Sequence, residues 1–141
     1  MKTHKTGLAL VIASLMVLAL ACAHVLTRDP SARLEKRVSD YWEARKTKDL
    51  LKAYDFYGRD YKSEISKTDF IKSANIDVLA FQIADIHLSE DQTKAEVSVI
   101  YDAVILGYRV SGIKTEDEWI YENNDWYFSP KKMGFKDLFK K

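Results

Sequence analysis

The stretch EDEWIYENNDWYF, Glu116–Phe128, reads as two short strands joined at Asn123-Asn124. Asparagine tolerates positive φ better than most residues, so a two-residue turn fits there. In that register Tyr121 faces Trp126 and Trp119 faces Phe128. Side chains opposite each other across a strand pair share a face, so four aromatic rings gather on one side. The other side receives Glu118, Ile120, Glu122, Asp125 and Tyr127, a mostly polar set. The aromatic face needs a cover, and the identity of that cover sets the fold.

The cover is sought upstream. Asp29-Pro30 is a helix start, with a capping side chain and proline at the first helical position. Leu34, Val38, Tyr41 and Trp42 recur at helical spacing, with Glu35, Lys36, Arg37, Asp40 and Glu43 between them. The apolar pattern breaks at Lys46–Asp49, where Thr47 or Asp49 caps a second helix. Leu50, Leu51, Tyr54 and Tyr57 form its expected buried side, and Gly58 suits its exit. Arg59–Ile65 reads as irregular chain. Ser66-Lys67-Thr68-Asp69 resembles a capping box with Asp in place of Glu, so a short helix carrying Phe70 and Ile71 should come next.

From Ile76 the character turns to β. Ile76–Leu88 is rich in Ile, Val, Leu and Phe, and Ser89–Gln92 is a polar turn. In Thr93–Leu106, Ala95, Val97, Val99, Tyr101, Ala103 and Ile105 share one face. Lys94, Glu96, Ser98, Ile100, Asp102 and Val104 share the other. Gly107–Gly112 reads as a break or wide turn before the closing hairpin. Strict alternation over Ile76–Leu88 sets Val78, Ala80, Ala84 and Ile86 against Leu79, Phe81 and Ile83. A strand apolar on both faces in a one-sheet domain implies a homodimer mate or envelope partner over the outer face.

The chain has 141 residues, 47% of them apolar and 30% charged, enough for one domain with a core. Its amino end stands apart. Lys2 and Lys5 precede Gly7–Ala21, which has no charged residue, and the run ends in small residues as secretory signals do. Leu18-Ala19-Leu20-Ala21-Cys22 resembles the lipobox of bacterial lipoproteins, departing from it at Ala19, where Leu is usual. The resemblance implies a signal over residues 1–21, a diacylglyceryl group on Cys22, and a tether over 22–28. With Ala23 rather than Asp after the cysteine, it also implies the outer membrane, facing the periplasm. Cys22 is the only cysteine, so no intrachain disulfide forms. The other readings are an uncleaved anchor over Leu8–Leu26, with His24 badly placed in it, and plain secretion. Removing residues 1–21 takes two basic residues and no acidic one, leaving 20 against 21 and a net charge of −1. That balance argues against nucleic acid as a partner.

A long amphipathic helix, further short helices and four strands ending in EWIYENNDWYF resemble the NTF2-like (cystatin-like) superfamily. The resemblance spans about residues 29–130. It implies an α+β fold in which a strongly curved antiparallel sheet of about four strands wraps the first helix into a cone with a pocket at its wide end. It leaves function open, since that superfamily hosts enzymes, binding domains and assembly parts. The tail 131–141 carries Lys131, Lys132, Lys136, Lys140 and Lys141 among Met133, Phe135, Leu138 and Phe139. Either it lies on anionic lipid or its apolar residues dock on the domain, the preferred reading.

Chemistry is sparse. His87 is the only histidine beyond His24, with no Cys or His at ligand spacing, so no metal and no cofactor are expected. No Ser/His/Asp or Cys/His arrangement and no glycine-rich phosphate loop is present. Asp85 and His87, two apart and so on one face with Leu79, Phe81 and Ile83, are the acid–base alternative, after the Asp and His that some NTF2-like isomerases and dehydratases use. Asp102 is a lone mid-strand carboxylate. Arg109, between glycines, is placed to reach a pocket mouth, although a surface position is preferred. The leading expectation is a non-catalytic binding domain. Tyr101, Trp119, Tyr121, Trp126, Phe128 and Trp42 are its pocket candidates, with Trp119 and Tyr121 the most open.

Overall fold

A computed structural model describes residues 29–130, Asn75 excepted. The signal over 1–21, Cys22 with its tether, and the tail 131–141 lie outside the described residues. The chain runs α1 (Pro30–Lys46), α2 (Leu50–Asp55), α3 (Arg59–Glu64), α4 (Lys67–Ser73), then β1 (Ile76–Leu88), β2 (Lys94–Ile105), β3 (Tyr108–Glu122) and β4 (Asp125–Phe128). The strands form one antiparallel meander in the order β1-β2-β3-β4. Helices packed on one four-stranded antiparallel sheet make an α+β domain.

Each helix boundary has a local cause. Asp29 accepts the Ser31 N–H at the start of α1 and Pro30 occupies the first helical position. The end of α1 is closed by Lys48 in the left-handed region (φ 59), with Lys48 N–H to the Arg45 carbonyl and Asp49 N–H to that of Ala44. This satisfies two carbonyls that a helix end otherwise leaves open. Asp49 then caps α2 through the Lys52 N–H at 3.1 Å. Ser66 and Asp69 form the capping pair of α4 as expected: the Ser66 hydroxyl accepts the Asp69 N–H and donates to the Asp69 carboxylate.

Two expectations here are corrected. Arg59–Glu64 is helical, not irregular, and Gly58 is its extended N-cap (φ −68) rather than a left-handed exit from α2. Leu51 is 54% exposed, because α2 buries Ala53 and Tyr54 instead.

The closing hairpin has the predicted register, with Trp119 opposite Phe128 and Tyr121 opposite Trp126. Asn123 and Asn124 both take positive φ (49 and 66), the requirement of a two-residue turn matched to strand twist. Its cover is α1. Trp126 Nε1 donates to the Pro30 carbonyl, Arg33 donates to the Asn124 carbonyl at 2.8 Å, and Arg37 Nε donates to the Trp126 carbonyl. Arg37 also lies 4.4 Å over the Phe56 ring. Tyr41 is the hub of the core: its ring meets Trp42, Phe56, Tyr57, Trp119 and Phe128. Burying several aromatic rings edge to face gives a small domain both area and orientation.

The Gly107–Gly112 break is corrected. The β2–β3 turn is only Leu106-Gly107, both at positive φ, and β3 begins at Tyr108. Gly112 (φ 71) instead sits in a bulge, where Ser111 and Gly112 together oppose Asp102. Asp102 accepts the Gly112 N–H at 2.9 Å, which gives the mid-strand carboxylate a structural task. Strand β1 carries two further bulges, at Leu79 and Ala84, each leaving one residue without an opposite number on β2. Each bulge inverts the alternation and bends the strand. Val78, Phe81, Ile83, Ile86 and Leu88 therefore all pack against the core. The expectation of a strand apolar on both faces is thus overturned, and with it the argument for a partner there. The outer face keeps Leu79, Ala80, Gln82, Asp85 and His87, all exposed.

Candidate functional site

The helix leaves part of the inner sheet face uncovered beyond Trp42. There a cavity of about 190 Å³ opens between the C-terminal half of α1 and the middle of the sheet. Its walls are aromatic: Trp42, Tyr101 and Phe128, with Trp42 and Tyr101 ring centroids 4.9 Å apart. Its polar groups are Arg45, Tyr41, Tyr57, Thr115 and Asp117.

Asp117 is the only buried charged residue in the described core, 4% exposed. It faces inward because β3 alternates through Thr115, Asp117 and Trp119, opposite Val99, Val97 and Ala95 of β2. Trp42 Nε1 donates to Oδ2 at 3.0 Å and the Thr115 hydroxyl donates to Oδ1 at 3.2 Å. Burial pushes the Asp117 carboxyl up to about 6, against the pull of those two donors and the Arg45 charge.

Arg45 donates through Nη1 to the Tyr41 hydroxyl at 3.1 Å, and the Tyr41 and Tyr57 hydroxyls lie 3.0 Å apart. Burial raises both phenol pKa values, so both stay protonated. Arg45 Nε is buried and has no hydrogen-bond partner among the described residues. An unmet charged donor in a cavity wall is costly unless something accepts from it. The site thus presents an acceptor, an unsatisfied donor and the Tyr41 and Tyr57 hydroxyls between aromatic faces.

The pocket candidates separate. Trp42, Tyr101 and Phe128 line the cavity. Trp119 and Trp126 do not; both are fully buried, and the Trp119 Nε1 has no hydrogen-bond partner among the described residues. Tyr121 lies at the Asn123-Asn124 turn, donating to the Asn124 side chain at 2.7 Å. The expectation that Trp119 and Tyr121 are the open members is therefore corrected: α1 seals that end. Arg109 is exposed, paired opposite Val104 near the β2–β3 turn, and does not line the cavity. Asp85 and His87 lie on the outer face, joined by a 2.8 Å contact between His87 Nε2 and Asp85 Oδ2, because the Ala84 bulge turns them away from Phe81 and Ile83.

Asp117, Arg45, Tyr41 and Tyr57 were not legible as site residues from composition. Asp117 alone had a usable signal, since it stands two residues before Trp119 and so shares its face. A larger groove of about 590 Å³ runs along α3 and the end of β4, outside the sheet's inner face. It lacks the convergence of buried polar groups that distinguishes the smaller cavity. Among the described residues no three His, Cys, Asp or Glu side chains stand close enough to hold a metal ion, and no helix is long and apolar enough to cross a membrane. No family model matches the chain, and no curated protein matches it.

Proposed function

We propose that the protein is a lipid-anchored binding domain of the NTF2-like type, held to the outer membrane through Cys22 and facing the periplasm, which binds a small ligand without transforming it. The observation that carries this reading is the cavity between Trp42, Tyr101 and Phe128, with Arg45 Nε unpartnered in its wall among the described residues. At about 190 Å³ it is smaller than the roughly 300–1,000 Å³ of pockets for drug-sized molecules. The ligand it suits has a small aromatic or apolar body and an acceptor oxygen for Arg45. Both oxygens of Asp117 already accept hydrogen bonds, which favours a positioning role over proton transfer. The element order and the aromatic hairpin closing on α1 support the superfamily; the charge-free run ending at Cys22 supports the anchor.

Ligand-observed NMR with small aromatic carboxylates tests the binding role. Val78 also lines the cavity, so hits should bind the wild-type protein and disappear in Val78→Phe, which fills it while the thermal transition shows that the fold persists. Hits indifferent to that substitution, or none, sink the proposal. Labelling with a radioactive fatty acid tests the anchor: it should mark the protein and fail to mark Cys22→Ser.

A second reading has its own observation. Leu106 and Tyr108 are 82% and 78% exposed at the tip of the β2–β3 hairpin, and Val110 adds to the patch. Apolar side chains grouped at a tip favour an assembly role with an envelope protein or a second copy. Sedimentation of the protein, with and without Leu106→Ser/Tyr108→Ser, separates the two readings.

A further inference from the structure

The groove along α3 is lined by Asp60, Tyr61, Glu64, Ile65, Glu118 and Pro130. Its floor is apolar: Tyr61 stacks on Tyr57 with ring centroids 4.2 Å apart, and Ile65 is half-buried against the core. Its rim is acidic, with three carboxylates and no lining base. Asp60 and Glu118 take part in no ion pair among the described residues. The Ser129 N–H bonds to the Glu118 carbonyl at 2.8 Å, so the chain leaves the sheet at the groove itself, with Pro130 in its wall.

The segment beyond Pro130 has the complementary chemistry. KKMGFKDLFKK brings five lysines against one aspartate, with Met133, Phe135, Leu138 and Phe139 among them. Phe135 is five residues beyond Pro130, a reach of at most roughly 17 Å of extended chain. Closing so short a loop costs little entropy. We infer that the segment 131–141 folds back into this groove, with Met133 and Phe135 on the Tyr61–Ile65 floor and its lysines against Asp60, Glu64 and Glu118.

Chymotryptic cleavage after Phe135, measured on the full-length protein in neutral detergent, tests this. Cleavage should be at least tenfold slower than in the free peptide KKMGFKDLFKK. It should return towards the peptide rate in 1 M salt and in Asp60→Lys/Glu118→Lys, and slow again when Lys131→Glu/Lys132→Glu is added to that variant. Asp60 is exposed and Glu118 partly exposed, and an unchanged thermal transition checks the fold. A wild-type rate equal to the peptide's overturns the inference. So does protection that needs anionic vesicles, which would make the occupant a bilayer, or protection that grows with protein concentration, which would make it a second copy.

Discussion

Trp42 Nε1 donates to Asp117 Oδ2 at 3.0 Å, tying the C-terminal half of the first helix to the third strand across 75 residues of chain. It is the main polar bond in a contact otherwise made of rings. Replacing Trp42 by Phe keeps much of the packing and removes the donor. A buried bond to a charged group is worth about 1.5–3 kcal/mol, and the loss should appear as a lower urea midpoint with an unchanged slope. The Asp117 pKa should rise further, as read from its side-chain carboxyl shift by NMR.

Asp117 also makes stability depend on pH. Its folded pKa of about 6 lies above the ordinary 3.8, so between these values the native state keeps a proton that the unfolded chain gives up. Stability from this group is fully present below the lower value and is lost as pH climbs through the higher one. The shift corresponds to about 3 kcal/mol by neutral pH. Asp117→Asn never ionises, so its stability relative to wild type should improve by that order between about pH 4 and about pH 8. A pH-independent difference in urea unfolding would show that Asp117 stays ionised in the fold.

At Asn123 the backbone φ of 49 is tolerated by Asn and Gly and resisted by residues with an ordinary Cβ. Asn123→Ala should cost about 1 kcal/mol and Asn123→Gly much less. Thermal unfolding of the two variants compares them directly, and equal losses would mean that the Asn side chain matters more than the backbone.

The β2–β3 bulge depends on Gly112 at φ 71 and on the Asp102 carboxylate that accepts its N–H. Gly112→Val should cost about 1–2 kcal/mol through backbone strain alone. Asp102→Ala should cost about 0.5–1 kcal/mol, the worth of an exposed hydrogen bond. Faster amide exchange confined to residues 108–113 would locate the damage at the bulge; a global change would not.

The hairpin register, the caps at Asp29, Asp49 and Ser66 and the bounds of β1 were legible in the sequence, because each is encoded within a few residues. The hidden features are long-range or phase-dependent. An alternation of two cannot reveal an inserted residue, so the bulges at Leu79 and Ala84 turned a one-sided strand into an apparent two-sided one. The Ala84 bulge also moved Asp85 and His87 to the outer face. Helix α3 offers only Tyr61 as an apolar anchor in six residues, too little for periodicity. The cavity was partly legible: Trp42, Tyr101 and Phe128 announce aromatic walls. Arg45, Tyr41 and Tyr57 converge only once α1 crosses the sheet and the turn after α2 meets β4.

The turn after α2 also protects the sheet where it meets β4. β1 is one margin of the sheet, and the other is β4 together with the part of β3 before Trp119 that β4 does not pair; each exposes backbone to recruitment by another molecule. At β4, Phe56 and Gly58 occupy the margin: the Phe128 N–H bonds to the Phe56 carbonyl and the Gly58 N–H to the Phe128 carbonyl. At β1 the thirteen-residue margin is broken twice by bulges and studded with Asp77, Asp85 and His87. The end of β4 is plugged and the β1 margin is made irregular. Neither β1 nor β4 thereby offers a flat, unbroken margin of the kind from which fibrils grow.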